Sequence, residues 1–118
     1  MAHVIKNHEM FPTVVNQFEY IADEKLIDAI INQDLITKYN PMLAKQSVNN
    51  TLNKEKQFEV LTNKIIDTTK EICDFYGYLY NSIEITNLWV NFSSKNCFHS
   101  PHTHSNNVFS GVWFPFEN

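Results

Sequence analysis

The chain has 118 residues, 13 acidic and 9 basic side chains, and a formal net charge of −4. Its 43% hydrophobic content suffices for one modest core, so we expect a single domain over residues 1–118 and exclude a disordered chain. Every basic residue is Lys, and scattered Lys in a net-acidic domain argues against nucleic acid as a partner. No apolar run approaches the roughly 20 residues that cross a bilayer, so we expect no membrane partner and a cytoplasmic location.

Residues 11–20 are rich in β-branched and aromatic side chains, which predicts an opening strand. A helical part is predicted over residues 21–77. Its first helix begins after Asp23, a suitable N-cap, and its apolar residues recur at helical spacing to about Lys38. A polar stretch to Asn53 is then predicted to be a loop.

The second helix of this part is predicted to be longer. Apolar residues recur every three to four positions from Phe58 to Tyr76. Gly77 follows, and glycine suits the left-handed conformation that commonly ends a helix.

A β part is predicted over residues 83–116. Residues 83–92 have strand composition with apolar groups on both faces, so we expect a strand buried on both sides. Residues 108–116 return to an aromatic, strand-like composition. An apolar edge strand at the end of a chain needs a cover. We therefore expect either that the gene is truncated or that a partner, such as a second copy in a homodimer or a missing C-terminal half, pairs with this strand.

Three of the five histidines lie in a short polar segment between these predicted strands, at His99, His102 and His104. In an extended segment alternate side chains share a face, so His102 and His104 can hold one metal ion. Imidazole suits Zn, Fe, Cu and Ni alike. One alternative is a closed zinc site that adds Cys97, although four ligands within eight residues are crowded. Another is a cluster of surface histidines without a metal.

The segment LWVNFSSKNCFHSPHTHSNNVFSGVWF, residues 88–114, resembles the core motif of the 2-oxoglutarate- and Fe(II)-dependent oxygenases common in phage and marine bacterial genomes. The similarity lies in a Trp-x-Asn strand, a His-x-His element and a Ser-Gly-Val-aromatic strand. The opening FPTVV and the two predicted helices are similar to the N-terminal half of the same family.

This resemblance implies an α+β fold, in which an N-terminal strand and two helices pack on the first strands of an incomplete double-stranded β-helix, a cupin-like jelly roll. It implies an oxidoreductase, a dioxygenase that binds Fe(II) and the small-molecule cosubstrate 2-oxoglutarate and hydroxylates an unknown prime substrate. If the gene is a phage gene, the expected location is the host cytoplasm. The implied metal ligands are His102 and His104. The residues implied to support them or to line the pocket are His99, Asn91, Trp89, Ser110 and Gly111.

The chain departs from the family pattern where the distal His and the basic residue for 2-oxoglutarate are expected. No Arg occurs among its 9 basic residues. We therefore expect an oxygenase that is incomplete as given. The alternatives are a non-catalytic cupin-like or zinc-binding protein, and a decayed gene whose product folds poorly.

Overall fold

The structure is a computed structural model that describes residues 5, 6, 8, 10–36, 40 and 42–116. It contains two α-helices and one antiparallel pair of short strands, with two 3-10 turns before the second helix. The elements in chain order are α1 (Glu24–Ile31), β1 (Lys45–Gln46), the turns Leu52–Lys54 and Lys56–Phe58, α2 (Glu59–Tyr76) and β2 (Asn91–Phe92). This mixture of helix and strand agrees with the α+β class.

Helix α1 begins as predicted and ends earlier than predicted. The Asp23 carboxylate accepts a hydrogen bond from the Leu26 amide at 2.9 Å, which satisfies one of the unpaired donors of the first turn. The helix stops at Ile31 because the next residues pair with another segment. Leu35 forms a bridge with Ser47, and the residue after Leu35 donates its amide to the carbonyl of Gln46 at 2.7 Å. The predicted end near residue 38 lies outside the described residues.

Helix α2 confirms the prediction for the second helix. Gly77 has φ 72°, and its amide donates to the carbonyl of Asp74 at 3.3 Å. The Tyr78 amide donates to the carbonyl of Cys73 at 2.8 Å, so the last turn closes as a Schellman motif. Among the described residues, no helix is long and apolar enough to cross a membrane.

Two of the predicted strands are wrong. Residues 11–20 contain no strand, and Phe11 and Val15 are almost fully exposed. Residues 108–116 contain none either, although Trp113 packs against Tyr20 with ring centroids 5.6 Å apart. The Trp113 indole N–H also donates to the Tyr20 carbonyl at 3.2 Å. Both segments have the side chains of a strand, but in the described residues neither finds a neighbouring backbone to pair with.

The predicted strand at residues 83–92 is only partly present. Its regular part is β2, which pairs with β1 so that Gln46 faces Asn91. Before β2 burial alternates at first: Ile83 and Ile85 are half-buried, whereas residues 84, 86 and 87 are exposed. The next three residues, 88–90, are all half-buried. Burial on both faces, as expected, is therefore present only in part and only at residues 88–90.

The hydrophobic core lies between α1, the two 3-10 turns and the first half of α2. Its fully buried members are Leu26, Leu52, Phe58 and Leu61. Leu88 and Val90 pack against this cluster from the segment before β2. These two residues flank Trp89 in the sequence. The core therefore fixes the chain on either side of Trp89, in the segment that leads into β2.

Candidate metal site

The histidine segment is tied to the fold at both ends. At one end the Phe98 amide donates to the Met42 carbonyl at 2.8 Å, and the Phe98 carbonyl accepts from the Ala44 amide at 3.0 Å. At the other end the Thr86 hydroxyl donates to the side-chain oxygen of Asn107 at 2.7 Å. Residues 99–106 are thus held as a loop beside the segment that leads into β2.

His102 and His104 lie side by side in this loop. Their ring centroids are 4.9 Å apart, and the ring planes are inclined at 65°. Nδ1 of His102 lies 2.8 Å from the carbonyl oxygen of Ser100. Because a carbonyl can only accept a hydrogen bond, Nδ1 is the donor in this contact, and in the neutral ring the lone pair for a metal is then on Nε2.

The spacing of the two rings suits a shared metal ion. Two imidazoles bound through nitrogen at about 2.1 Å have centroids about 4.5 Å apart at a right angle and about 5.2 Å apart at the tetrahedral angle. The observed 4.9 Å lies between these values. It is therefore compatible with an octahedral ion such as Fe(II) and with tetrahedral zinc.

The pair is open to solvent and is not completed by other side chains of the described residues. Both histidines are exposed, as is the whole of residues 98–112. In the part of the chain that the structure describes, no three His, Cys, Asp or Glu side chains lie together as a metal site. The alternative zinc site of Cys97 with the three histidines is therefore not assembled. Cys97 instead has its sulfur 3.1 Å from the Ser94 hydroxyl.

Trp89 and Asn91 are the predicted supporting residues that lie near the histidine pair. The Trp89 ring stacks with the His104 ring at a centroid distance of 6.3 Å and an interplanar angle of 25°. The Trp89 indole N–H donates to the side-chain oxygen of Asn91 at 3.1 Å. The structure thus places the Trp89 ring against His104 of the loop.

The other supporting residues have no such contact. His99 and Ser110 are exposed. Gly111 is exposed too, and a Cβ added there would meet no atom within 4 Å, so glycine is not needed for a close approach at this position. The structure does not bring these three residues against the histidine pair through any contact among its described residues.

The sequence analysis did not predict Ser47, the buried residue that holds the chain next to Trp89. Ser47 is 1% exposed, its amide donates to the Val90 carbonyl at 2.8 Å, and its hydroxyl accepts from the Val90 amide at 3.0 Å. The same hydroxyl donates to the Asn49 carbonyl at 2.7 Å. The polar sequence around Ser47 predicts only a loop, and nothing local distinguishes it. The contact partners Thr86 and Asn107 were missed for the same reason, since they are 21 residues apart in the chain.

The chain was compared with models of protein families, with curated proteins and with solved structures, and none of the three comparisons gave a match.

Proposed function

We propose that this chain supplies two of the iron ligands, His102 and His104, of a 2-oxoglutarate- and Fe(II)-dependent dioxygenase. The observation that carries the proposal is the 4.9 Å separation of the two rings, within the resemblance of residues 88–114 to the motif of that family. The finer fold belongs to the same proposal. In it, the β1–β2 pair and the extended segments beside it are the beginning of a double-stranded β-helix.

The imidazoles of His102 and His104 fit two of the protein ligands of an Fe(II) site. Two neutral imidazoles on one loop are a common part of non-haem iron sites, which are completed by a third protein ligand. The hydrogen bond from Nδ1 of His102 to Ser100 gives that ring the tautomer that binds through Nε2. No third His, Cys, Asp or Glu of the described residues completes the pair, so the proposal needs a further ligand from elsewhere.

In this proposal the residues of the chain bind and orient. Iron, when bound with 2-oxoglutarate and dioxygen, would supply the oxidising chemistry: one oxygen atom would enter succinate as CO2 leaves the cosubstrate, and the other would enter the hydroxylated product. His102 and His104 hold the ion on one face, and the anchors at Phe98 and Asn107 fix the loop that carries them. The open side of the pair leaves room for the cosubstrate and for the prime substrate.

The test is anaerobic titration of the full gene product with Fe(II) in the presence of 2-oxoglutarate. Chelation of the cosubstrate by iron gives a metal-to-ligand charge-transfer band. We expect the band in the native protein and its loss in His102→Ala and in His104→Ala. The matched control is His99→Ala, which removes a neighbouring exposed histidine of the same loop and should retain the band. Far-UV circular dichroism checks that each variant folds.

The proposal is wrong if the native protein gives no band, or if the His102→Ala protein keeps it. Elemental analysis of the purified protein then separates the remaining possibilities. Stoichiometric zinc that is lost in both histidine variants would indicate a zinc-binding protein.

A second candidate is a non-catalytic metal-binding module. The observation that favours it is the openness of the histidine pair, since catalytic iron sites are usually enclosed enough to exclude bulk water. Such a module would bind Zn(II) through the same two rings and show no dependence on 2-oxoglutarate. Metal affinity measured with and without 2-oxoglutarate distinguishes the two candidates.

A further inference from the structure

Trp89 makes a ring contact with only one of the two proposed ligands. Its indole stacks with His104 at 6.3 Å and 25°, within the range of offset-stacked aromatic pairs. His104 in turn is the edge-to-face neighbour of His102. His104 therefore contacts both Trp89 and His102 through its ring.

The indole is held more firmly than the histidine on which it stacks. Trp89 is half-buried and donates its N–H to Asn91 at 3.1 Å, whereas His104 is exposed in the loop. The residue between Trp89 and Asn91 is hydrogen-bonded in both directions to buried Ser47. Asn91 itself lies in β2, opposite Gln46 of β1. The backbone on both sides of the indole is thus fixed by the sheet and the core.

We propose that Trp89 is a positioning residue that holds the His104 ring in the orientation needed for metal binding. This inference rests on the proposed metal site and adds to it how the second ligand is oriented. His102 is restrained by its own hydrogen bond to Ser100, and His104 is restrained by the face of Trp89. The indole does not bind the metal. It lowers the conformational entropy that His104 loses when the ion binds.

Isothermal titration with Zn(II) measures the effect on affinity. Zinc is redox-inert, so the measurement does not depend on turnover. We expect Trp89→Leu, which removes the aromatic face, to weaken Zn(II) binding about 3- to 10-fold, the cost of ordering one free side chain. Trp89→Phe keeps an aromatic face and should recover most of the affinity. The control is Trp113→Phe, which changes the only other Trp of the chain, at the contact with Tyr20, and should leave affinity unchanged.

Nuclear magnetic resonance of the metal-free protein provides a second measurement. It follows the chemical shifts of His104, which would not respond selectively if Trp89 only stabilised the fold. The indole ring current should shift the carbon-bound ring protons of His104, and Trp89→Leu should abolish that shift while His102 changes little. Asn91→Ala removes only the acceptor of the indole N–H at an exposed position. It should move the His104 resonances in the same direction as Trp89→Leu does. If Trp89→Leu does not fold, the Asn91→Ala variant still tests the inference.

The inference is overturned if Trp89→Leu binds Zn(II) as tightly as the native protein, or if no ring-current shift is found on His104. Failure of the metal site itself has a different signature. In that case the native protein does not bind Zn(II) through His102 and His104, so that alanine at either position changes nothing. The ring-current shift in the metal-free protein would then still show whether Trp89 restrains His104.

Discussion

Ser47 and Val90, 43 residues apart, are joined by two hydrogen bonds: backbone to backbone at 2.8 Å and backbone to side chain at 3.0 Å. Ser47 is the only polar side chain among the fully buried residues of the described part of the chain. Its hydroxyl both accepts from the Val90 amide and donates to the carbonyl of Asn49. This pair connects the segment after α1 to the segment that leads into β2 and carries Trp89, the residue that contacts His104.

Replacement of Ser47 by Ala should destabilise the protein by about 1–3 kcal/mol, because the Val90 amide is left without its buried acceptor. Urea denaturation followed by circular dichroism measures this change. Ser82→Ala, at an exposed position, is the control and should change the free energy of unfolding by less than about 0.5 kcal/mol. Equal stability of the two variants would show that the Ser47 contact does not contribute.

Phe58→Ala should destabilise the protein by about 3–5 kcal/mol, since Phe58 is 1% exposed at the centre of the core and its loss leaves a cavity. The matched control is Phe114→Ala. Phe114 is 80% exposed, so its truncation should change the free energy of unfolding by less than about 0.5 kcal/mol. Denaturant midpoints of the two variants check the prediction. A larger loss at Phe114 than at Phe58 would mean that the core is placed wrongly.

Gly77→Ala should cost about 1–2 kcal/mol, because the φ of 72° is unfavourable for any residue with a Cβ. No atom lies within 4 Å of the added Cβ, so the loss would be a backbone effect alone. Gly111→Ala is the control: the Cβ again meets no atom, and no left-handed φ is present. It should be neutral, or stabilising by up to about 1 kcal/mol through the unfolded chain. Thermal melts of both variants test this: the melting temperature should fall in Gly77→Ala and should stay the same or rise in Gly111→Ala.

Tyr80 gives the protein a dependence on alkaline pH. Desolvation of the hydroxyl, followed by the charge and the 3.4 Å hydrogen bond of Asp74, raises the pKa of Tyr80 above 10.0. The folded state therefore binds this proton more tightly than the unfolded chain does. The resulting stabilisation is complete below the unfolded value and is lost as the pH rises through the folded value.

Absorbance of phenolate against pH measures this effect. Tyr80→Phe should remove a component that titrates late, and Asp74→Asn should move that component to lower pH, because it removes the neighbouring negative charge. Stability near pH 11 should fall less, relative to pH 9, in Tyr80→Phe than in the native protein. If the component lost in Tyr80→Phe titrates at or below pH 10, the prediction is wrong.

The helices were predictable because their determinants are local. The N-cap at Asp23 and the left-handed Gly77 each act within about one turn of helix, so the sequence pattern is sufficient to locate them. The end of α1 was not predictable, since Leu35 leaves the helical pattern to pair with Ser47. The candidate metal ligands were found because His-x-His places two donors together over three residues in an extended chain, which is again a local property.

By itself the sequence determined the second helix, the N-cap Asp23 of α1 and the left-handed Gly77 that ends α2. It also determined that His102 and His104 are close together. Only the tertiary structure decided which strand-like segments find a partner: residues 91–92 pair, whereas residues 11–20 and 108–116 form no strand. It also decided that Trp89 faces His104 and that Ser47 holds Val90. The physical reason is range. A helix satisfies its hydrogen bonds within four residues, whereas a strand, a ring stack or a buried hydroxyl needs a partner that chain folding must bring from far away.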